Sequence, residues 1–205
     1  MTHSLHRIGT AESLSRDFVV AALPAMGINN IGHEPKLQEF LKMALKHNPK
    51  NYGVGSYGNE YSHEGADVIA HAGGMAHAVF TSIEDVKGFL KDLKAADLGM
   101  SVICSGILDV VNKALQDVGL KRHTVNVSLG VWGNTNRLPP DEIREITVMC
   151  GHGMIATNLV RKLIDDVRSG ATTPQDAGKV LAAPCCCGIF NPARAAELIA
   201  AAAKK

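Results

Sequence analysis

Residues 77–119, HAVFTSIEDVKGFLKDLKAADLGMSVICSGILDVVNKALQDVG, alternate short apolar runs with longer amphipathic segments. HAVF at 77–80 and MSVIC at 100–104 have the length and composition of buried strands. Ser82 and Asp85 resemble a capping box that begins a helix after the first strand, and Gly99 ends that helix. Residues 107–119 have the spacing of a second helix. Strands that alternate with helices predict a layered fold.

The flanking sequence extends this pattern in both directions. Residues 17–25 predict a buried strand, residues 35–49 an amphipathic helix, and HTVNVSLGVWG at 123–133 a strand with one apolar and one polar face. After residue 150 the pattern is helical, with helices over 151–170 and 173–181 and a last one from 191. We therefore predict one α/β or α+β domain over residues 1–205. Its portion 1–149 holds a mixed sheet of about four to five strands with helices on one face, and its portion 150–205 is helical and bears the cysteines.

Composition excludes several classes of function. The 205 residues include 21 Lys and Arg against 20 Asp and Glu, and only 4% are aromatic, so we expect no nucleic-acid partner. No apolar run approaches the roughly 20 residues of a membrane span, and the first residues lack the apolar core of a signal peptide, so we expect no membrane partner. These features favour a cytoplasmic protein, in which cysteines stay reduced unless they bind metal or undergo redox chemistry.

A glycine- and tyrosine-rich stretch occupies residues 50–64, KNYGVGSYGNEYSHE. Gly53, Gly55 and Gly58 match the G-x-G-x-x-G spacing of dinucleotide-binding loops. That motif requires a strand before it and a helix immediately after it, and neither pattern is present here. The stretch is therefore predicted to be a loop.

Three of the five cysteines are adjacent, in APCCCGIFNP at residues 183–192. In an extended chain Cys185 and Cys187 project to one side and Cys186 to the other. An odd cysteine count with three adjacent thiols argues against a framework of structural disulfides. A metal or redox role is the leading interpretation, with a vicinal disulfide switch or plain packing as alternatives.

Cys150 lies in a second distinctive stretch, TVMCGHGMIA at residues 147–156. We expect it at the start of a helix, where the amides of Gly151 and Gly153 can hold an anion and where the thiol pKa is lowered. His152 is a candidate ligand or proton carrier. A helical hairpin over 152–181 would return the cysteine triplet to this point.

The predicted site therefore combines three thiolates, from Cys150, Cys185 and Cys187, with His152 or Cys186 at a fourth position. Three protein ligands and one open position are typical of a catalytic metal, and they equally suit an iron–sulfur cluster with one free iron.

The MCGHGMI stretch at 149–155 resembles the catalytic cysteine segment of the proline racemase and hydroxyproline epimerase family. The matching residues are Met149, Cys150, Gly151, His152, Gly153 and Ile155. In that family the cysteine is a proton-transferring base and the following amides hold the substrate carboxylate. The family's second cysteine segment, P-C-G-T-G, is matched only by Pro184 and Cys185, and its members are longer chains of two similar halves. The resemblance therefore implies shared local chemistry, a thiol beside an anion-binding turn.

Histidines provide further candidates. His71 and His77 are candidates to line a pocket for an anionic substrate beside the glycine-tyrosine stretch, with His63 close by in sequence. His3 and His6 are expected to be surface groups near the chain terminus.

The leading functional hypothesis is an enzyme that acts on a small anionic metabolite with an iron–sulfur cluster or a single transition metal. The alternatives are a cofactor-free thiol enzyme with Cys150 as base or nucleophile, and a non-enzymatic metal-binding or assembly module. A homo-oligomer is compatible with the composition.

Overall fold

The computed structural model describes residues 2–205, with side chains from residue 3 onward. Within that range one sheet contains the strands β1 Phe18–Leu23, β2 Asn51–Val54, β3 Gly58–Asn59, β4 Ala76–Phe80 and β5 Ser101–Ser105. The α-helices are α1 Ala11–Leu14, α2 Glu34–Ala44, α3 Gly65–Ala70, α4 Ile83–Ala96, α5 Leu108–Asp117, α6 Asp141–Thr147, α7 Thr157–Arg168, α8 Pro174–Ala182 and α9 Pro192–Ala203. The predicted fold class of sheet and helices with a helical C-terminal third is confirmed.

The strand order is β3-β2-β4-β1-β5, and every neighbouring pair is antiparallel. The sheet is therefore antiparallel throughout, where the sequence had indicated a mixed one. β1 is flanked by β4 and β5, and its residues are apolar and buried from Phe18 to Ala22. A strand buried on both faces requires a helical layer on each side of the sheet.

Two helical layers cover the two faces. Phe18 and Val20 pack with the apolar residues of α2 and α4, whereas Val19 and Val79 pack with those of α6 to α9. The helices thus cover both faces, where the sequence had predicted one. The second layer brings the C-terminal cysteines against the sheet, which is what positions the candidate site.

The elements over residues 77–119 form as predicted because their local signals agree with their packing. The side-chain oxygen of Ser82 accepts hydrogen bonds from the amides of Glu84 and Asp85, which caps α4. Phe89 of α4 packs against Phe40 of α2 and Phe80 of β4, with ring centroids 5.0 and 5.6 Å apart. This contact joins the two helices to the sheet.

The predicted strand over residues 123–133 is not formed. These residues have no regular structure and are exposed, although their apolar and polar residues alternate. Alternation alone does not form a strand, because a strand also needs backbone pairing with a neighbour, and among the described strands β5 pairs with β1 alone. The predicted loop at 50–64 was also wrong in part, because it contains the short hairpin of β2 and β3.

The N-terminal segment is held against the C-terminal helices by a buried carboxylate, Asp17. Its side chain is fully buried, and it accepts hydrogen bonds from Arg7 Nε at 2.6 Å, Arg194 Nη1 at 3.0 Å and Asn191 Nδ2 at 3.1 Å. Arg194, also fully buried, donates through Nη2 to the Ile8 carbonyl at 2.7 Å. Three donors on one carboxylate offset the desolvation of these charges. No helix among residues 2–205 is long and apolar enough to cross a bilayer.

We predict that Asp17→Asn lowers the free energy of unfolding by about 3–5 kcal/mol, because it leaves the buried Arg7 without a counter-charge and leaves Arg194 with only the carboxylate of Glu145, 3.9 Å away. Urea denaturation followed by circular dichroism measures this change. Glu197→Gln is the matched control, since Glu197 pairs with Arg16 where both side chains are 49% exposed, and we expect a loss of less than about 1 kcal/mol there. Equal losses for the two variants would contradict the prediction.

Candidate metal site at the cysteine loop

The cysteine loop, residues 183–191, connects α8 to α9. Its backbone turns between Cys185 and Gly188, where the Gly188 amide donates to the Cys185 carbonyl at 3.0 Å. Cys185 and Cys187 are fully buried and Cys186 is half-buried. The side chains therefore alternate between interior and surface as the sequence indicated, although the backbone is a turn.

Two glycines allow the loop backbone to lie directly against β2. A Cβ at Gly53 would lie 2.9 Å from the Cys187 carbonyl, and one at Gly188 would lie 2.6 Å from the Gly53 amide nitrogen. Gly188 also has a φ of +74°, a conformation that side-chain-bearing residues avoid. Gly53 therefore permits the close approach of two backbones in this fold.

Two buried asparagines of the hairpin fix the loop by its carbonyl groups. Asn59 Nδ2 donates to the carbonyls of Ala182 at 3.1 Å and Cys185 at 2.7 Å, and Asn51 Nδ2 donates to that of Phe190 at 2.9 Å. The Ala182 carbonyl, at the end of α8, also accepts a hydrogen bond from the Cys185 amide at 3.0 Å. The hairpin thus fixes both ends of the cysteine loop.

Cys185 lies close enough to Cys150 and to Cys187 for the three thiols to affect each other's pKa values. The neighbouring Cys185 thiol, together with burial, raises the pKa of Cys150 far above its usual value. For Cys185, the Cys150 thiol lowers the pKa, but the Cys187 thiol and burial outweigh it and raise the pKa to about 11. Both groups are therefore thiols at neutral pH.

This result corrects the expectation of a lowered pKa at Cys150. The predicted helix over 151–170 begins only at Thr157, because Gly153 takes a φ of +70° and breaks the helical path. Cys150 instead follows the end of α6, where its amide donates to the Thr147 carbonyl at 3.2 Å. The amides of Gly151 and Gly153 therefore do not lie at a helix start. The Gly153 amide donates to the Cys150 carbonyl at 3.0 Å.

Two histidines, His3 and His77, lie close to Cys187 of the cysteine loop. His77 projects from β4 and is 1% exposed, and His3 lies in the N-terminal segment with its Nε2 atom 3.2 Å from Nε2 of His77. The ligand atoms of His3, His77 and Cys187 all lie within 4.8 Å of one another. Among residues 2–205, this is the group of three side chains whose arrangement can hold a metal ion.

His152 lies on the solvent side of this group. Its Nδ1 atom is 3.6 Å from the Cys187 sulfur, and its ring stacks on that of His3 with centroids 4.7 Å apart. His77 and Cys187 are buried, His3 is half-buried and His152 is exposed. A metal ion or substrate from solvent would therefore reach the group past the rings of His3 and His152.

Burial keeps the histidines of the group neutral. It is the main cause that lowers the pKa of His77 to about 3, with further lowering by the nearby rings of His3 and His152. Burial also lowers the pKa values of His3 and His152 below the usual value for histidine. Neutral imidazole is the form that binds metals, so at neutral pH His3 and His77 are both able to coordinate an ion.

The remaining predicted residues lie around the group or apart from it. The His3 carbonyl oxygen would be 2.0 Å from a Cβ at Gly151, so the N-terminal segment covers that glycine. His71 is exposed and stacks on Tyr57 with ring centroids 4.0 Å apart, outside the group. Cys186 projects away from the buried sulfurs, as its partial exposure shows. The structure thus places His77 in the group and His71 outside it.

His3 was missed by the sequence analysis, which treated it as a surface group. No local pattern marks it, because its partners lie 74 residues away at His77 and still further away at Cys187. The one available signal was the presence of histidine near a terminus in a chain that also holds clustered thiols.

Comparisons with models of protein families, with curated proteins and with solved structures found no match to this chain.

We predict that Gly188→Ala is more damaging than Gly170→Ala, although both glycines have a positive φ, +74° and +76°. A Cβ at Gly170 meets no atom within 4 Å, so that variant loses only the roughly 1–2 kcal/mol of backbone strain. Gly188→Ala adds the contact with Gly53, and overpacking of this kind costs about 1–3 kcal/mol more. Urea denaturation of the two variants measures the difference, and equal stabilities would refute the close approach.

Proposed function

We propose that this protein binds one transition-metal ion through His3, His77 and Cys187 and uses it as a Lewis acid on a small anionic metabolite. The observation that carries the proposal is the approach of these three ligand atoms to within 4.8 Å of one another. The separation of 3.2 Å between the two Nε2 atoms is close to that of two nitrogens that share one ion at bonds of about 2.0–2.1 Å. Two imidazoles and one thiolate are a donor set that suits zinc and other borderline metals.

The charge of such a site favours an anionic ligand. A divalent ion balanced by one thiolate and two neutral imidazoles keeps a net charge of roughly +1. Three protein ligands leave a fourth position for water or substrate, as in catalytic zinc sites. A carboxylate or another oxyanion at that position would neutralise the remaining charge.

His152 completes the proposed chemistry. Its Nδ1 atom contacts the Cys187 sulfur at 3.6 Å, and when that nitrogen carries the proton, Nε2 is free to accept one from a bound water or substrate. The bound metal would supply polarisation of the substrate or of a water molecule, and His152 would carry the proton. Hydration and dehydration of a small acid belong to this class of reaction.

An iron–sulfur cluster on Cys150, Cys185 and Cys187 is the competing occupant. The effect of Cys185 on its two neighbouring thiols supports it, since cysteine thiolates hold such clusters. Geometry favours the single ion, because among the described residues the ligand atoms of His3, His77 and Cys187 all lie within 4.8 Å of one another and the three sulfurs do not form such a group. The raised pKa of Cys150 disfavours that thiol as the base of a cofactor-free enzyme.

We predict that Cys187→Ser weakens the binding of Co²⁺ more than about 100-fold, because it removes a ligand and not merely a residue that orients one. Titration of the metal-free protein with Co²⁺, followed by its visible and near-ultraviolet absorption, measures the affinity and detects sulfur-to-cobalt charge transfer. Cys186→Ser is the matched control in the same loop and should bind within about twofold of the parent. Undiminished Co²⁺ binding by Cys187→Ser would overturn the proposed site.

We predict that Cys150→Ser separates the two kinds of occupant. A single ion on His3, His77 and Cys187 does not use Cys150, so the variant should keep one equivalent of metal. A cluster would lose iron and acid-labile sulfide together in this variant. Metal analysis and sulfide determination after anaerobic purification measure the metal and the sulfide of each protein. If the parent contains sulfide and Cys150→Ser does not, the occupant is a cluster and the proposed single ion is wrong.

A further inference from the structure

The segment over residues 123–132 exposes more apolar surface than its surroundings. Leu129 is 81% exposed and Trp132 83%, and the valines of the segment are also open to solvent. The exposed apolar residues are Val125, Val127, Leu129, Val131 and Trp132. Clustered apolar exposure of this kind marks an interaction surface.

The segment lies beside β5 without pairing to it. Within the described residues, β5 forms a ladder only with β1, so its outer edge is unpaired. A cavity of about 630 Å³ separates that edge from residues 121–128, and it is lined mostly by apolar atoms. Residues 123–132 also take part in no ladder, so their backbone N–H and C=O groups can pair with another chain.

The sequence of the segment is complementary to itself. VNVSLGV at residues 125–131 is symmetric about Ser128 in its apolar positions. Two copies paired antiparallel about Ser128 would place Val125 opposite Val131 and Val127 opposite Leu129, on one face. An interface in which one patch meets the same patch is the isologous contact of a two-fold dimer.

We propose that residues 123–132 form a β-strand in a homodimer of this chain, paired antiparallel with the same segment of a second copy about Ser128. The segment from Thr124 to Trp132 contains no charged residue, so pairing it with itself buries no charge and creates no repulsion. Pairing places the apolar side chains of the two copies next to each other on one face, so that each shields part of the other's surface from water. A second copy therefore covers part of the exposed apolar surface and gives the alternating sequence a strand to pair with.

Leu129→Lys tests the proposal, since the two-fold axis applies the substitution twice and buries two like charges near each other. Sedimentation velocity of the parent should give a mass twice the 21.7 kDa of one chain. The dissociation constant of the Leu129→Lys dimer should be at least about tenfold larger than that of the parent dimer. Val180→Lys is the control, a valine 49% exposed on α8, and should dimerise like the parent. Both changes fall on exposed side chains, and circular dichroism verifies that each variant folds.

Ser128→Cys locates the axis. Residues directly opposite each other in an antiparallel pair have Cα atoms about 4.5–5.5 Å apart, which suits a disulfide. Mild oxidation should therefore cross-link Ser128→Cys into a covalent dimer, whereas the parent with its native cysteines and a Ser62→Cys control should not cross-link. A monomeric parent at all concentrations, a dimer that tolerates Leu129→Lys, or a small apolar ligand bound in the cavity of a monomer would each overturn the proposal.

Discussion

The buried carboxylate of Asp17 is the interaction on which the rest of the arrangement depends. It joins Arg7 of the N-terminal segment and Arg194 of α9, residues that are far apart in the chain. Arg7 also donates through Nη2 to the Ile189 carbonyl at 2.5 Å, two residues beyond Cys187. One anion with several donors thus connects the start of the central strand, the N-terminal segment and the end of the cysteine loop. Charge pairs buried this deeply tolerate little displacement, because any gap leaves a charge without a partner.

The fold class was predictable where local signals and packing agree. Ser82 begins α4, Thr173 accepts a hydrogen bond from the Asp176 amide at the start of α8, and Asn191 caps α9 in the same manner. Each is a polar residue in front of an apolar periodicity of 3.6, a signal contained within a few residues. The layer that each helix joins depends on contacts between distant residues, so the second helical face of the sheet could not be predicted.

The errors at the site have a common physical origin. The apolar spacing of Ile155, Leu159 and Leu163 continues a helix back toward Cys150, but a left-handed Gly153 ends that path. The lowered pKa expected for Cys150 depended on that helix start and was lost with it. His3 could not be found at all, because its contact with His77 spans 74 residues and no motif marks it. The side-chain alternation of the triplet was predictable, because Cys185 and Cys187 are buried and Cys186 is partly exposed.

The N-terminal segment connects the two proposed regions through consecutive residues. His3 contacts His77 at the metal group, Ser4 Oγ lies 2.8 Å from Ser105 Oγ on the edge strand, and His6 Nδ1 lies 3.3 Å from Ser128 Oγ. Arg7 then anchors the segment to Asp17. One stretch of five residues, 3–7, thus contacts the metal group, the edge strand, the 123–132 segment and the Asp17 carboxylate. These four features are far apart in the sequence, and the N-terminal segment brings them next to one another.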